Sequence, residues 1–304
     1  MEKEQKGTIL AFIAAIISGF AIFANKIFIV DLEPVVFTAV RAMLIGLLFF
    51  LLSLWSFNFD LSGFRKARWN YLLAIGIIGG GLAFYLFFSG LKLTTAGRAA
   101  FLHKTLPLFT TIIAYVFLKE AITKKQLIAL ILMLAGALAI SSTAISPDAF
   151  WTNPAFGDLL VIAATILWGV ENVIAKKALL QKESHFVVMF GRMFFGAVFL
   201  FGAMLLLGKF ELLLMLKQSQ ILNLIASAAI LAGYVLTYYW SLKLINVSKA
   251  STILLFAPLI TLLLSMAFMG EQPPLLQLAG SALILAGAFA IAKVKSGIEQ
   301  PKAV

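Results

Sequence analysis

The stretch LKLTTAGRAAFLHKTLPLFTTIIAYVFLKE, residues 91–120, returns 151 positions later as LKLINVSKASTILLFAPLITLLLSMAFMGE, residues 242–271. The match runs on without a gap to Ile140 and Ile291, with about a third of the positions identical. Shared apolar composition would pair Leu with Leu and Ala with Ala. It would not also pair Pro107 with Pro258, Glu120 with Glu271 and Gln126 with Gln277. Arg41 meets Arg192 at the same offset. The chain therefore reads as two copies of one unit, 1–146 and 147–304.

Both copies are too apolar for water. Hydrophobic residues make up 62% of the chain, charged residues 12%, and the mean hydropathy is +1.04, where a soluble domain carries about 25% charged residues. At about 20 residues per span, 304 residues hold ten helices and short connections. Hydropathy places them at about 8–29, 35–56, 70–90, 97–118, 125–145, 156–176, 186–207, 220–242, 249–269 and 275–293. Five spans per copy is an odd number, so the second copy must enter the membrane from the opposite side. The expected fold is an all-α integral membrane protein of ten transmembrane helices, built as two inverted five-helix repeats. In that arrangement two pseudo-symmetric states let one site face either side.

The net charge of +11 would invite nucleic acid in a soluble chain, but here the Lys and Arg fall mostly between spans. With the N-terminus inside, connections on that side hold about sixteen of them, against Lys92, Arg98, Lys209 and Lys217 opposite. That bias places both termini in the cytoplasm and makes the basic charge a topology signal. The apolar run from Thr8 is too long for a signal-peptide core and lacks a small-residue cleavage site, so it is expected to remain as the first helix. The absence of cysteine removes disulfides, thiolate metal ligands and thiol catalysis together.

An Arg in the second helix of each half, a fourth helix that passes a Pro and ends at Glu, and a fifth rich in Ala-Gly form a constellation. Across essentially the whole chain it resembles the EamA family of the drug/metabolite transporter (DMT) superfamily. The resemblance implies a multi-pass protein of the inner cell membrane that exports amino acids, other small polar metabolites or drugs by alternating access. It also implies a central cavity lined in part by the third, fourth, eighth and ninth helices.

Ionisable residues inside spans cost about 2.5–3.5 kcal/mol each and therefore mark either scaffold or site. Lys26, near a helix end, can snorkel to the interface. Arg41 and Arg192 repeat in both halves, which favours a structural role tying helix ends and carbonyls. His103 and Lys104 do not repeat, since their partners are Leu254 and Leu255, and they lie roughly 9–12 Å deep. Glu171, roughly 22 Å deep, has the apolar Ala21 as its partner in the register that sets Trp168-Gly169 on Ser18-Gly19, an offset of 150, and has Lys176 and Lys177 nearby. These three, with Trp168 one turn before Glu171 and the Tyr234/Tyr238 stripe, are the candidate solute-binding residues. A zwitterion would set its carboxylate at Lys104 and His103 and its ammonium at Glu171. A coupling proton on Glu171 is the rival use. Pro107 and Pro258, mid-span, are candidate hinges. Trp55, Trp69, Trp151 and Trp240 fit interfacial belts, and Gly76 and Gly79 to Gly81 fit close helix contacts.

Two histidines exclude a multi-histidine zinc site, and no zincin, nucleophile-elbow or Walker sequence occurs. No cofactor or metal is expected, and the protein is not expected to be an enzyme. The expected partners are a small polar solute and membrane lipids. The alternative reading is an integral membrane enzyme or lipid-handling protein acting on a headgroup through Lys104 and Glu171. Oligomeric state is left open.

Overall fold

The computed structural model describes residues 2–29, 32–143 and 156–295. Trp151, Lys302 and the side chain of Lys26 lie outside that description. Ten helices are long and apolar enough to cross a membrane, and no strand occurs among the described residues. They are α1 (Lys3–Phe28), α2 (Pro34–Ser56), α3 (Trp69–Leu91), α4 (Gly97–Phe117), α5 (Lys124–Ser142), α6 (Phe156–Leu180), α7 (His185–Leu206), α8 (Gln218–Leu244), α9 (Val247–Met269) and α10 (Leu275–Ala292).

Two boundaries depart from the hydropathy reading, for physical reasons. Helix α1 starts at Lys3 rather than near Thr8 because a polar first turn extends the apolar run, with Thr8 Oγ1 donating to Glu4 O at 3.0 Å. Helix α6 runs on to Leu180 and buries Lys176, whose ammonium donates to Leu242 O and Ile245 O at 2.5 and 2.8 Å. A cation at the last carbonyls of α8 satisfies groups that the helix itself leaves open.

The packing obeys the symmetry of the repeat. Helix α2 lies on α7, α5 on α10 and α4 on α9, while α1 on α8 is matched by α6 on α3. Exchanging the two halves leaves this set of pairs unchanged. Lipid supplies no hydrophobic drive between helices, so small residues that admit close backbones do the holding. A Cβ on Gly80 of α3 would stand 2.2 Å from Arg192 O and 2.9 Å from Gly196 Cα of α7. Gly136 of α5 meets Gly280 O of α10 in the same way, at 2.4 Å. Gly80→Ala is therefore expected to lower stability by about 1–3 kcal/mol, because backbone rather than a pliable side chain must give way. Gly202→Ala, with nothing within 4 Å, should be neutral or gain roughly 0.5–1 kcal/mol of helix propensity. Thermal melts in detergent of the two variants check this; equal shifts would remove the helix-contact argument.

Helices α4 and α9 are broken at matching places. Helix α4, with Ala96 before it, divides into Ala96–His103 and Leu106–Phe117, and α9 into Val247–Ile253, a 3-10 turn Leu254–Phe256, and Ala257–Met269. Pro107 and Pro258 each sit in the first turn of the second segment, where the missing N–H costs nothing and the ring blocks continuation of the preceding turn. Residues Gly76–Leu82 of α3 form a π-helical turn.

Both ends of the described chain lie on one face, the terminal face, where Lys249 Nζ joins Glu4 at 3.3 Å and Val294 O at 2.6 Å. On the far face Glu33 pairs with Lys209 and with Lys92, the latter at 3.3 Å. Partial burial pushes the Glu33 carboxyl up, but its bonds to the two ammoniums outweigh this and hold it below the usual carboxylate value.

Candidate functional site

A cavity of about 390 Å³ lies between the repeats, with walls from α1, α2, α3, α4, α6, α7, α8 and α9. The α3, α4, α8 and α9 contributions match the expectation, and the other four helices widen it. Its lining residues on α1 to α4, among them Asn25, Arg41, Phe88 and Lys104, sit on the parts of those helices nearer the far face.

One wall is aromatic. The Trp168 indole donates from Nε1 to Gly79 O at 2.9 Å, a carbonyl of the π-helical turn. Its ring then meets His103, Phe84 and Phe87 at centroid distances of 4.9, 5.0 and 5.5 Å. Gly79 is required here because a Cβ would stand 2.2 Å from Glu171 Cγ. Phe88 extends the same wall.

Three cations line the cavity: Arg41, Lys104 and Arg192. Arg41 donates to Ser227 Oγ at 3.1 Å, which donates on to Asn25 Oδ1 at 2.9 Å, and its guanidinium lies 4.6 Å from the Phe37 ring. Arg192 stands 3.6 Å from Glu171 Oε2 and donates to Tyr239 Oη at 3.2 Å. The Tyr239 hydroxyl in turn donates to Glu171 Oε1. Lys104 makes no ion pair or side-chain hydrogen bond among the described residues. Among the described residues of the lining, Arg41 Nε, His103 Nδ1 and Asn172 Oδ1 are buried without a hydrogen-bond partner.

The candidate residues thus separate into two groups. His103, Lys104, Trp168 and Tyr234 meet at the cavity, together with Arg41, Arg192 and Pro107. Glu171 and Tyr238, both 0% exposed, lie outside its lining, as does the buried Pro258. Glu171 sits behind Arg192 and Tyr239, not beside Lys176. Tyr238 stacks on Tyr234 at 5.6 Å with its hydroxyl unpartnered. Arg41 and Arg192 do tie helices together, and they also face the cavity. The lining residues Asn25, Asn172, Phe84, Phe87 and Phe88 were missed. A search of the spans for amides as well as charges would have found the first two; the phenylalanines look like any lipid-facing residue.

Comparison with known proteins agrees with this architecture. A solved crystal structure superposes on the chain with a TM-score of 0.77 at 19% identity, covering 95% of this chain and 98% of the other, which establishes a shared fold. The uncharacterized transporter YoaV of Bacillus subtilis (strain 168) is 26% identical over 277 residues, covering 90% of this chain and 92% of its own. A probable terminal-alkyne amino-acid exporter of Streptantibioticus cattleyicolor is 29% identical over 235 residues, covering 75% and 76%. The EamA-like transporter family matches residues 5–142 and again 155–293, one match for each five-helix unit. With both halves of the sequence accounted for and ten apolar helices enclosing a central cavity, the chain belongs to the EamA-like transporter family.

Proposed function

We propose that this transporter exports amino acids with apolar or aromatic side chains, by alternating access through the cavity between the repeats. The observation that carries the reading is Lys104, an ammonium without a protein partner among the described residues, in the lining of a cavity that also has an aromatic wall. An unpaired cation inside a membrane protein is costly and suits a carboxylate brought by the solute. Phe84, Phe87, Phe88 and Trp168 suit an apolar side chain. For the ammonium, the partnerless Asn172 Oδ1 is a better acceptor than Glu171, which is engaged by Arg192 and Tyr239. His103 and Tyr234 complete the site as polar edges of the aromatic wall. The exporter name carried by one relative supports the substrate class and direction. Charge asymmetry along the chain supports an inner-membrane protein with both termini cytoplasmic.

A thermal-stability screen of the purified protein tests this, since a ligand that binds the native state raises its melting temperature. Large apolar amino acids should stabilise it, and the corresponding amines without a carboxylate should not. Stabilisation by the amines alone would overturn the substrate class. Counterflow of the stabilising solute in protein-only liposomes distinguishes transport from chemistry on a headgroup, because an enzyme yields product without exchange.

A further inference from the structure

At the terminal face the carboxylate of Glu120, at the end of α4, caps the start of α9. Its Oε1 accepts from Val247 N at 2.8 Å, and its Oε2 from Ser248 N at 3.1 Å and Ser248 Oγ at 2.6 Å. Gln126 Nε2 supports the seat, donating to Ser248 Oγ at 2.9 Å. Glu120 is only 8% exposed, and every residue from Val247 to Ile253 is buried. These contacts bury the start of α9 at the terminal face, away from the far-face parts of α1 to α4 that line the cavity. Asn246, the residue at the cap position of α9, makes no side-chain cap, although Asn is among the best capping residues.

The repeat carries the same parts to the far face, where they are arranged differently. Glu271 is the mate of Glu120, and Ala96 and Gly97 are the mates of Val247 and Ser248. The local frames coincide. Lys119 and Gly270 both take positive φ, 54° and 65°, and the next residue in each case donates its N–H six residues back, Glu120 to Ala114 O and Glu271 to Ser265 O, both at 3.3 Å. Yet Glu271 is exposed, and residues 97–102 are mostly half-buried or exposed. There α4 is capped by its own Thr95, the mate of Asn246, with Arg98 N donating to Thr95 Oγ1 at 3.2 Å.

We infer that Glu120 and Glu271 are alternating latches of the transport cycle. Each broken helix has two caps for one N-terminus: a local side chain, Thr95 or Asn246, when its face is open, and the glutamate of the other repeat when its face is closed. The structure holds one of each. In the opposite state Glu271 accepts from the N–H groups of Ala96 and Gly97, while Glu120 withdraws and Asn246 caps α9. A carboxylate at a helix N-terminus gains charge-assisted bonds and the favourable end of the dipole, so each latch stabilises only the state in which it is seated.

The latch rests on the transporter reading but not on the solute, and its test uses none. The chain has no cysteine, so a single Ser251→Cys replacement, at a residue 0% exposed within the sealed segment of α9, reports opening of the terminal face by its rate of maleimide labelling. Glu271→Ala, at an exposed side chain, should slow that labelling about tenfold by removing the only latch of the state that exposes residue 251. Glu120→Ala should speed it by a similar factor. Glu120→Gln, which keeps the shape and loses the charge, should act in the same direction and serves if Glu120→Ala does not fold. Labelling unchanged or faster in Glu271→Ala overturns the proposal, as does unchanged labelling in a folded Glu120 variant. A solute screen that finds no ligand while labelling shifts as expected removes the substrate reading and leaves the latch standing.

Discussion

Glu171→Ala is expected to destabilise the protein by about 3–5 kcal/mol, the cost of leaving one member of a buried ion pair uncompensated. Arg192 stands 3.6 Å from Glu171 Oε2, and the carboxylate is 0% exposed. Without it, Arg192 is an uncompensated charge in a cavity that Arg41 and Lys104 also line, and the Tyr239 hydroxyl loses its acceptor. Glu171→Gln restores an acceptor but no charge, so it should recover part of the loss. The double variant Glu171→Leu with Arg192→Met should be more stable than Glu171→Ala alone, because removing both charges leaves neither unpaired. Thermal melts of the four proteins check this order of stability. If the single and double variants melt alike, the pair does not hold α6 to α7. Transport separates the remaining role: a Glu171→Gln protein that exchanges solute normally but loses pH-driven accumulation would assign the coupling proton to this residue.

The fold was legible because membranes permit few answers. Span length, the odd number of spans per repeat and the register of Pro, Glu, Gln and Arg are properties of sequence, and the helix ends they imply differ from the structure mainly where side chains intervene. Lys176 and Lys249 illustrate the limit. As sequence they are ordinary flanking cations, yet both are buried, at 2% and 1% exposure, because the carbonyls of Leu242, Ile245 and Val294 converge on them. No local pattern reveals which distant carbonyls will be there.

The site was legible by halves for a related reason. Asymmetry between the repeats separated His103 and Lys104 from scaffold, and both line the cavity. The same asymmetry singled out Glu171, but one-sidedness cannot distinguish a residue facing a cavity from one held behind it by a partner. Depth along the helix was computable; azimuth was not, since Trp168 and Glu171 share a helical stripe by spacing while only Trp168 reaches the cavity. Symmetry also concealed something. Arg41 and Arg192 repeat, as scaffold should, and still line the shared space.

The sharpest separation of stability from function falls on Lys104. Its ammonium has no protein partner among the described residues, in a setting that penalises charge, so Lys104→Met, which keeps an unbranched apolar side chain, is expected to raise the melting temperature. The same change should weaken binding of an amino acid by about 1.5–3 kcal/mol, roughly ten- to hundredfold, the worth of a charge-assisted bond to a carboxylate. Affinity for the matching amine, which has no carboxylate to lose, should change far less. Opposite signs in stability and affinity are the mark of a group retained for its ligand, whereas a structural lysine would lose both. Melts and isothermal titrations of Lys104→Met with an amino acid and its decarboxylated analogue decide between them. A variant that melts lower, or that binds the two compounds with the wild-type preference, would move the carboxylate to Arg41, the other cavity cation without a carboxylate partner among the described residues.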